Sequence, residues 1–467
     1  MSVPSLVFRP ARAGWLVAFL ALACGPEPTG YQLEPSLNNS GGKGGGNGGG
    51  GGTTSDPTVT GVDPSFGRQG DLILGVRITG SGYDSSAEAA WERDGLPDPA
   101  VTVLATRFVS STEVEADISI DGDADVDLYD VSVTNKSTGK RGVGIESFEV
   151  TTAVSVGSFC TTSTGHSQAF AVNDAGAVVG LSCDQALFWE AATGTTNLGP
   201  RVASGLDQAA LMVVGQSSDK PVFWSRSAVG AAWSGPALLP ANGWKGRGNT
   251  IVSDVEGRAR LIGGRVDEPV KRNSTVGQPV MWFPDGAGWR LVILPRPSGV
   301  SSTTAFAIFG ISDGGRAVSR LGPATVWEPA AFGSDQYTAT LLPGSGGARG
   351  ISPDGELIVG GANGVAAYWR RNADGTWSGP VALHAPCSNT TTYGWATGAN
   401  NHGVIVGRGC NGGAAWRLAA DGSVTEIRLP GFGKDDASQE AWGVNNTQPA
   451  RAVGNGIKSA VYWDLPW

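Results

Sequence analysis

Between residues 168 and 199 the chain reads QAFAVNDAGAVVGLSCDQALFWEAATGTTNLG. A short apolar run leads to an Asn-Asp-x-Gly turn, a second run ends in Gly180, a third ends in Trp189, and a weaker fourth carries Leu198. Versions of this unit recur down the sequence, with third runs closing at Trp189, Trp224, Trp282, Trp327, Trp369, Trp416 and Trp463. A glycine stands nine residues before the tryptophan at Gly180, Gly215, Gly360, Gly407 and Gly454. The third unit keeps the pattern with nine extra residues between Gly264 and Trp282, and the fourth breaks it with Val318. Turn signals at 173–176, 254–257, 312–315, 352–355 and 400–403 suit tight hairpins; units two and seven lack that glycine, which leaves their first hairpins less defined. The tryptophans recur every 46 residues or so, roughly the period of four-stranded propeller blades. Residues 153–467 are therefore expected to form a seven-bladed β-propeller.

Six units end in a fourth run, at 197–198, 237–239, 291–294, 340–342, 381–383 and 427–429, and the seventh has none. An unclaimed run at 154–159 precedes the first unit, so the expectation is that it completes the last sheet and removes the open edges. The seven tryptophans sit within apolar strand runs, which marks them as packing between twisted sheets rather than as sugar platforms.

Upstream, runs at 72–78, 100–104, 113–120 and 129–135 alternate apolar and polar residues between Gly, Pro and Asp clusters, the pattern of a small β-sandwich over 57–152. Residues 24–56 are polar and glycine-dense, with GGKGGGNGGGGG at 41–52, and predict a disordered tether with a reach of roughly 30 Å. At the start, Arg9 and Arg12 precede an apolar run at 14–23 and then Cys24. That run is too short to span a bilayer and suits a signal-peptide core over 1–23. The fold class is thus all-β: a small β-sandwich, immunoglobulin-like by a resemblance given below, followed by a seven-bladed propeller, behind a signal peptide and a linker.

The chain's 72 glycines and 16% charged residues favour short strands and tight turns over helices. The formal charge is −9, and losing Arg9 and Arg12 with the leader takes it to −11. Such a surface repels phosphate backbones, so no nucleic-acid partner is expected. Apart from Cys24 there are Cys160, Cys183, Cys387 and Cys410, two pairs each separated by 23 residues at equivalent places in their units. Four cysteines allow three pairings. Repeat equivalence favours the disulfides Cys160–Cys183 and Cys387–Cys410. His166, His384 and His402 are the only histidines and none falls at ligand spacing, so no metal site is expected there. Asp121, Asp123, Asp125 and Asp127 could offer calcium alternate carboxylates, but Val126 and Ser132 stand where an EF-hand loop needs Gly and Glu. A solvated loop is the plainer reading. No G-x-S-x-G, H-E-x-x-H or phosphate loop occurs, and Asp207, Asp254, Asp313 and Asp354 stand at turn positions, where Asp is favoured for backbone reasons.

Three resemblances add to this. The leader resembles a bacterial lipoprotein signal, which implies lipidation of Cys24 and a membrane anchor, although Ala21 holds the place where that family prefers leucine. An ordinary secretory signal cut near Ala23 is the alternative. Gly25 in place of Asp implies the outer membrane. PTVTGVDPSFGRQGD at 57–71, VRITGSGY at 76–83 and YDVSVTN at 129–135 resemble the IPT/TIG family of immunoglobulin-like domains, mostly spacers or interaction modules. ALFW at 186–189, AAYW at 366–369 and AVYW at 460–463 resemble the HAF family of extracellular repeats, without its histidine.

The function expected is a non-enzymatic binding or scaffold protein at the cell envelope, a monomer with a glycan or protein ligand and no cofactor. The alternatives are a polysaccharide-active enzyme and a purely structural envelope protein. A ligand is expected on the face that carries the connections between blades and between second and third strands. That face would gather the insertion at 265–277 with Lys271 and Arg272, and the aromatic residues Trp244, Tyr393, Trp395 and Trp442.

Overall fold

The computed structural model describes residues 56–161, 165–253, 260–271, 274–385, 387, 393–431, 440–456 and 459–467. The expected signal peptide, Cys24, nearly all of the tether, Asp254 and Arg272 lie outside the described residues. Every regular element among the described residues is a β-strand, and none is a helix able to cross a membrane.

Residues 58–151 form two sheets. One orders Thr58–Asp63, Leu72–Ser81, Glu113–Ile120 and Val101–Ser110; the other orders Phe66–Arg68, Lys140–Thr151, Leu128–Asn135, Ala87–Arg93 and Leu96–Pro97. Alternate residues of Glu113–Ile120 point inward, burying Val114, Ala116, Ile118 and Ile120. They meet Val131, Val133 and Phe148 of the second sheet in one core, with Trp91 edge-on to Phe148 at 5.5 Å. The acidic loop serves its own chain: Asp125 pairs with Arg93 at 2.5 Å, and the Asp127 carboxylate accepts the Leu128 N–H at 2.8 Å. Among the described residues the four carboxylates do not gather as a cation's donor set.

Beyond residue 153, seven four-stranded antiparallel sheets follow in sequence. In the first six, the strands of each sheet pair in chain order. The first strands are Ser167–Val172, Val202–Leu206, Lys245–Ser253, Ile308–Ile311, Gly347–Ile351, Trp395–Ala399 and Glu440–Val444, and each touches the first strand of the next sheet, the seventh touching the first. First strands therefore line the axis of a closed ring. Units two and seven form their first hairpins despite lacking the turn glycine. In unit two the Asp207 carboxylate accepts the Leu211 and Met212 N–H groups, and Ala210 takes a left-handed φ of 52°.

The tryptophan and the glycine have different tasks. Six of the tryptophans are buried and Trp189 is half-buried against Tyr462. The Trp224, Trp282, Trp327, Trp369 and Trp463 indole N–H groups donate to carbonyls at the end of the preceding sheet, those of Leu198, Pro240, Pro295, Pro343 and Pro430, at 2.7–2.9 Å. Each ring thus fills the wedge between sheets and also fastens one sheet to the next. The glycine admits a backbone approach: a Cβ at Gly180, Gly360 or Gly407 would lie 1.9–2.2 Å from a first-strand carbonyl oxygen. Unit four breaks the spacing because its second hairpin is one residue shorter. Trp327 pairs with Ala317, ten residues back, whereas Trp189 pairs with Val178, eleven back, so the glycine's place falls to buried Ser319.

Closure comes from upstream. Val154–Ser155 pairs with Ala460–Asp464 and supplies the fourth strand of the seventh sheet. The paired segment is shorter than the run at 154–159. On the face of the first hairpins a second closure runs side chain to main chain. The N–H groups of Asp354, Asn401, Asn446 and Asp174 donate to the side-chain oxygens of Asn401, Asn446, Asp174 and Gln208, one sheet further on each time, at 2.7–2.9 Å. Both expected disulfides are present, Cys160–Cys183 and Cys387–Cys410.

Candidate functional site

Every first strand carries a bulge at the same place. The register skips Phe170, Ser204, Asn249, Phe309, Arg349, Thr397 and Trp442, and the glycine or serine of the second strand lies opposite the residue just before each. A bulge leaves one residue unpaired and re-aims its side chain. Cross-ring contacts show where these side chains point. The Arg320 guanidinium, at the end of the second strand of sheet four, lies 4.8 Å from the ring centroid of Trp442 in sheet seven. Arg247 of sheet three lies 5.6 Å from Phe170 of sheet one. The bulges thus fill the axis.

The densest group gathers where the first strands begin, the face that carries the inter-sheet connections. Trp395 opens the first strand of sheet six, opposite Arg408 in the ladder. The Arg349 guanidinium from sheet five lies 4.6 Å from the Trp395 ring centroid and that of Arg408 5.6 Å. The Trp395 indole N–H donates to the Glu440 carboxylate of sheet seven, and that of Trp442 donates to Asn455 at 3.2 Å. Arg320, Arg349, Arg408 and Glu440 therefore converge from four sheets on two indole rings.

Charge is badly balanced here. Among the described residues, none of Arg247, Arg320, Arg349 and Arg408 has a carboxylate within ion-pair distance. Arg349 Nη1 and Arg408 Nε are buried donors without an acceptor. Burial lowers the pKa of Arg349 to about 10, with neighbouring Arg320 adding to the effect and Glu440 opposing it. Burial likewise lowers Arg247 to about 10, again with help from adjacent arginines, and lowers Arg320. By exposed area these residues are only half-buried. The protein packed around each charge is nevertheless what governs its hydration, and that surrounding is dense. Glu440 is raised by burial, against the pull of Trp395 and the three arginines.

Arg226 shows what a structural arginine looks like in this molecule. It makes a two-pronged bond to Glu190 at 2.8 and 3.1 Å, donates to the Ala210 carbonyl at 2.7 Å and packs against both the Phe188 and Trp233 rings. Every donor group of that guanidinium has an acceptor, and the central arginines lack that provision.

Of the residues expected to bind a ligand, Trp395 and Trp442 belong to this centre. Guanidinium groups lie over both rings. Trp244 is half-buried beside the core of sheets two and three, and Tyr393 is exposed on the Gly364 turn. The insertion at 265–277 extends the hairpin Arg260–Lys271/Ser274–Asp285, with Lys271 at its tip. The arginines escaped sequence reasoning, although Ala348-Arg349-Gly350 and Ala441-Trp442-Gly443 share the Ala-x-Gly signal of the bulge with Ala203-Ser204-Gly205 and Ala396-Thr397-Gly398.

Two other places hold polar groups. The side chain of His384 lies with those of Cys387 and Cys410, their ligand atoms within 4.8 Å of one another. The sulfurs are joined to each other, and the His384 ring stacks on Trp416. A groove of about 420 Å³ on the opposite face lies between Asp354, Arg371, His402 and Arg417. It is far from the arginine centre, and Arg371 is balanced by Glu328 and Glu356.

The chain is similar to the β-propeller domain of the Trilobed protease from Pyrococcus furiosus, described as having an open velcro topology. The identity is 9% and the TM-score 0.34, over 81% of this chain and 97% of that one. It is also similar to apo AztD from Citrobacter koseri, at 11% identity and a TM-score of 0.35, over 83% of this chain and 98% of that one. No protein-family model and no curated protein sequence matches it. At such scores the assignment of a β-propeller rests on the strand order and closed ring described above.

Proposed function

We propose that the chain is an exported lipoprotein anchored through Cys24, and that it binds a ligand at the cell envelope without transforming it. In this reading residues 57–152 are an immunoglobulin-like spacer of the IPT/TIG kind, and residues 153–467 are a seven-bladed propeller of HAF-type repeats that presents the binding face. The carrying observation is the group of arginines without ion pairs at the ring's centre, held on Trp395 and Trp442. Arg226, by contrast, is held by Glu190 and the Ala210 carbonyl. Glycosidic cleavage ordinarily needs two carboxyl groups roughly 5–9.5 Å apart. Among the described residues, Glu440 is the carboxylate that shifts with these arginines. The test is a glycan and protein binding screen of the full chain beside a reducing-end assay. Binding without new reducing ends is expected, whereas cleavage abolished by Glu440→Gln would replace this reading with an enzymatic one. For the anchor, incorporation of a labelled fatty acid should be lost in Cys24→Ser, and labelling that survives would refute it.

A further inference from the structure

We propose that the centre of the ring is an oxyanion site, in which Arg320, Arg349 and Arg408 receive a sulfate, phosphate or carboxylate group, free or carried on a saccharide. The inference rests on the reading of this face as the binding face, and it names the chemistry that the face selects.

Four observations lead there. The chain as a whole carries −9, yet four arginines and one buried glutamate meet at its axis. A cluster of one sign that runs against the net charge is a local design, since chance placement would follow the surplus of acids. The Arg320 guanidinium lies over the Trp442 ring and those of Arg349 and Arg408 over the Trp395 ring, 4.6–5.6 Å from the centroids, which holds the cations in place and leaves N–H groups able to bond. Planar forks of this kind match the paired oxygens of carboxylate, sulfate and phosphate. Two of the donors, Arg349 Nη1 and Arg408 Nε, are buried without an acceptor, a state that folded proteins avoid unless something else supplies one. Finally, burial and mutual repulsion lower the affinity of Arg247 and Arg349 for their own protons, so the free site is electrostatically strained and a bound anion relieves it.

The same geometry says which part of a saccharide would be recognised. Sugar rings stack on open aromatic faces, and those of Trp395 and Trp442 are covered by arginine. A charged substituent is therefore what the centre reads, while the sugar ring lies outside it.

The experiment titrates the full chain by calorimetry with sodium sulfate against sodium chloride at matched ionic strength, then with a sulfated oligosaccharide and its unsulfated counterpart. Saturable binding of sulfate, absent with chloride, is expected. A sulfated sugar binding more tightly than inorganic sulfate would place the group on a saccharide; equal affinities would make the free anion sufficient. Arg349→Gln with Arg408→Gln should weaken sulfate binding at least about tenfold, since each charged hydrogen bond is worth roughly 1.5–3 kcal/mol. Arg290→Gln, on an exposed ion pair with Asp335, should leave it unchanged. If the double variant does not fold, Arg408→Gln alone is read, with the same direction expected. Sulfate binding that persists in the folded variants, or that chloride reproduces, would overturn the oxyanion site. So would a neutral glycan or protein that binds while sulfate does not, and that result would leave the binding function itself standing.

Discussion

At the scale of single residues, the glycine before each tryptophan and the glutamate at the axis make opposite demands. Gly407 exists to let a backbone pass: a Cβ there would lie 2.2 Å from the Trp395 carbonyl oxygen. Gly407→Ala should therefore destabilise the chain by about 1–3 kcal/mol, the usual cost of overpacking, as read from chemical denaturation. Gly288→Ala, whose Cβ would meet only the Asp285 carbonyl oxygen at 3.7 Å, should change stability little. Glu440 carries a pKa raised from 4.5 by burial. The groups facing it are Arg320 of sheet four, Arg349 of sheet five, and Arg408 and the Trp395 indole of sheet six. For a raised carboxyl the sign is fixed: the stability it contributes is full below the unfolded value and fades as pH rises through the folded one. Sulfate, which does not titrate in this range, should bind more tightly as pH falls through the Glu440 transition, because protonation removes the one negative charge facing it. In Glu440→Gln that dependence should flatten. An unchanged slope in the variant would mean that another group governs it.

At the scale of elements, most of the ring was legible and its centre was not. Third strands and their tryptophans show in the sequence because one wedge between sheets recurs seven times and must be filled each time. The disulfides show because Cys160/Cys183 and Cys387/Cys410 repeat one spacing. Arg320, Arg349 and Arg408 show no common spacing, since they come from a strand end, a bulge and a ladder position in three sheets, and only the closed ring brings them together. The covered faces of Trp395 and Trp442 were hidden for the same reason. Closure itself was legible as a missing fourth run, although pairing uses only Val154 and Ser155. A chain beginning at Gly157 should melt several degrees below one beginning at Ala153, because the shorter one leaves Ala460–Asp464 as an open edge. Removing residues 1–55 deletes no described strand and should leave the transition in place. Equal melting of the two short chains would show that the upstream strand does not hold the ring.

At the scale of the whole molecule, the first and seventh sheets are joined near the outer rim by the strand Val154–Ser155 and, among the first hairpins, by the Asn446-to-Asp174 and Asn445-to-Asn173 hydrogen bonds. Asn401, Asn446 and Asp174 are each both donor and acceptor in that series, so Asn446→Ala removes the acceptor of the Asn401 N–H. The expected cost is about 1 kcal/mol. Asn401→Ala removes the acceptor of the Asp354 N–H, so in a double-mutant cycle the two losses should add, because each variant deletes a different hydrogen bond and both backbone donors remain. Losses that fail to add would show that the links of the series are coupled. The outer strand also orders events in time. Val154 leaves the ribosome early and its partner Tyr462 comes 308 residues later, so the strand begins the ring and is the last piece used. Waiting that long adds little entropy, since each doubling of a loop costs only about 0.6 kcal/mol. The wait does make the final strand a mark of completeness: a copy cut short before Ala460 leaves Val154–Ser155 without its partner and the ring with open edges.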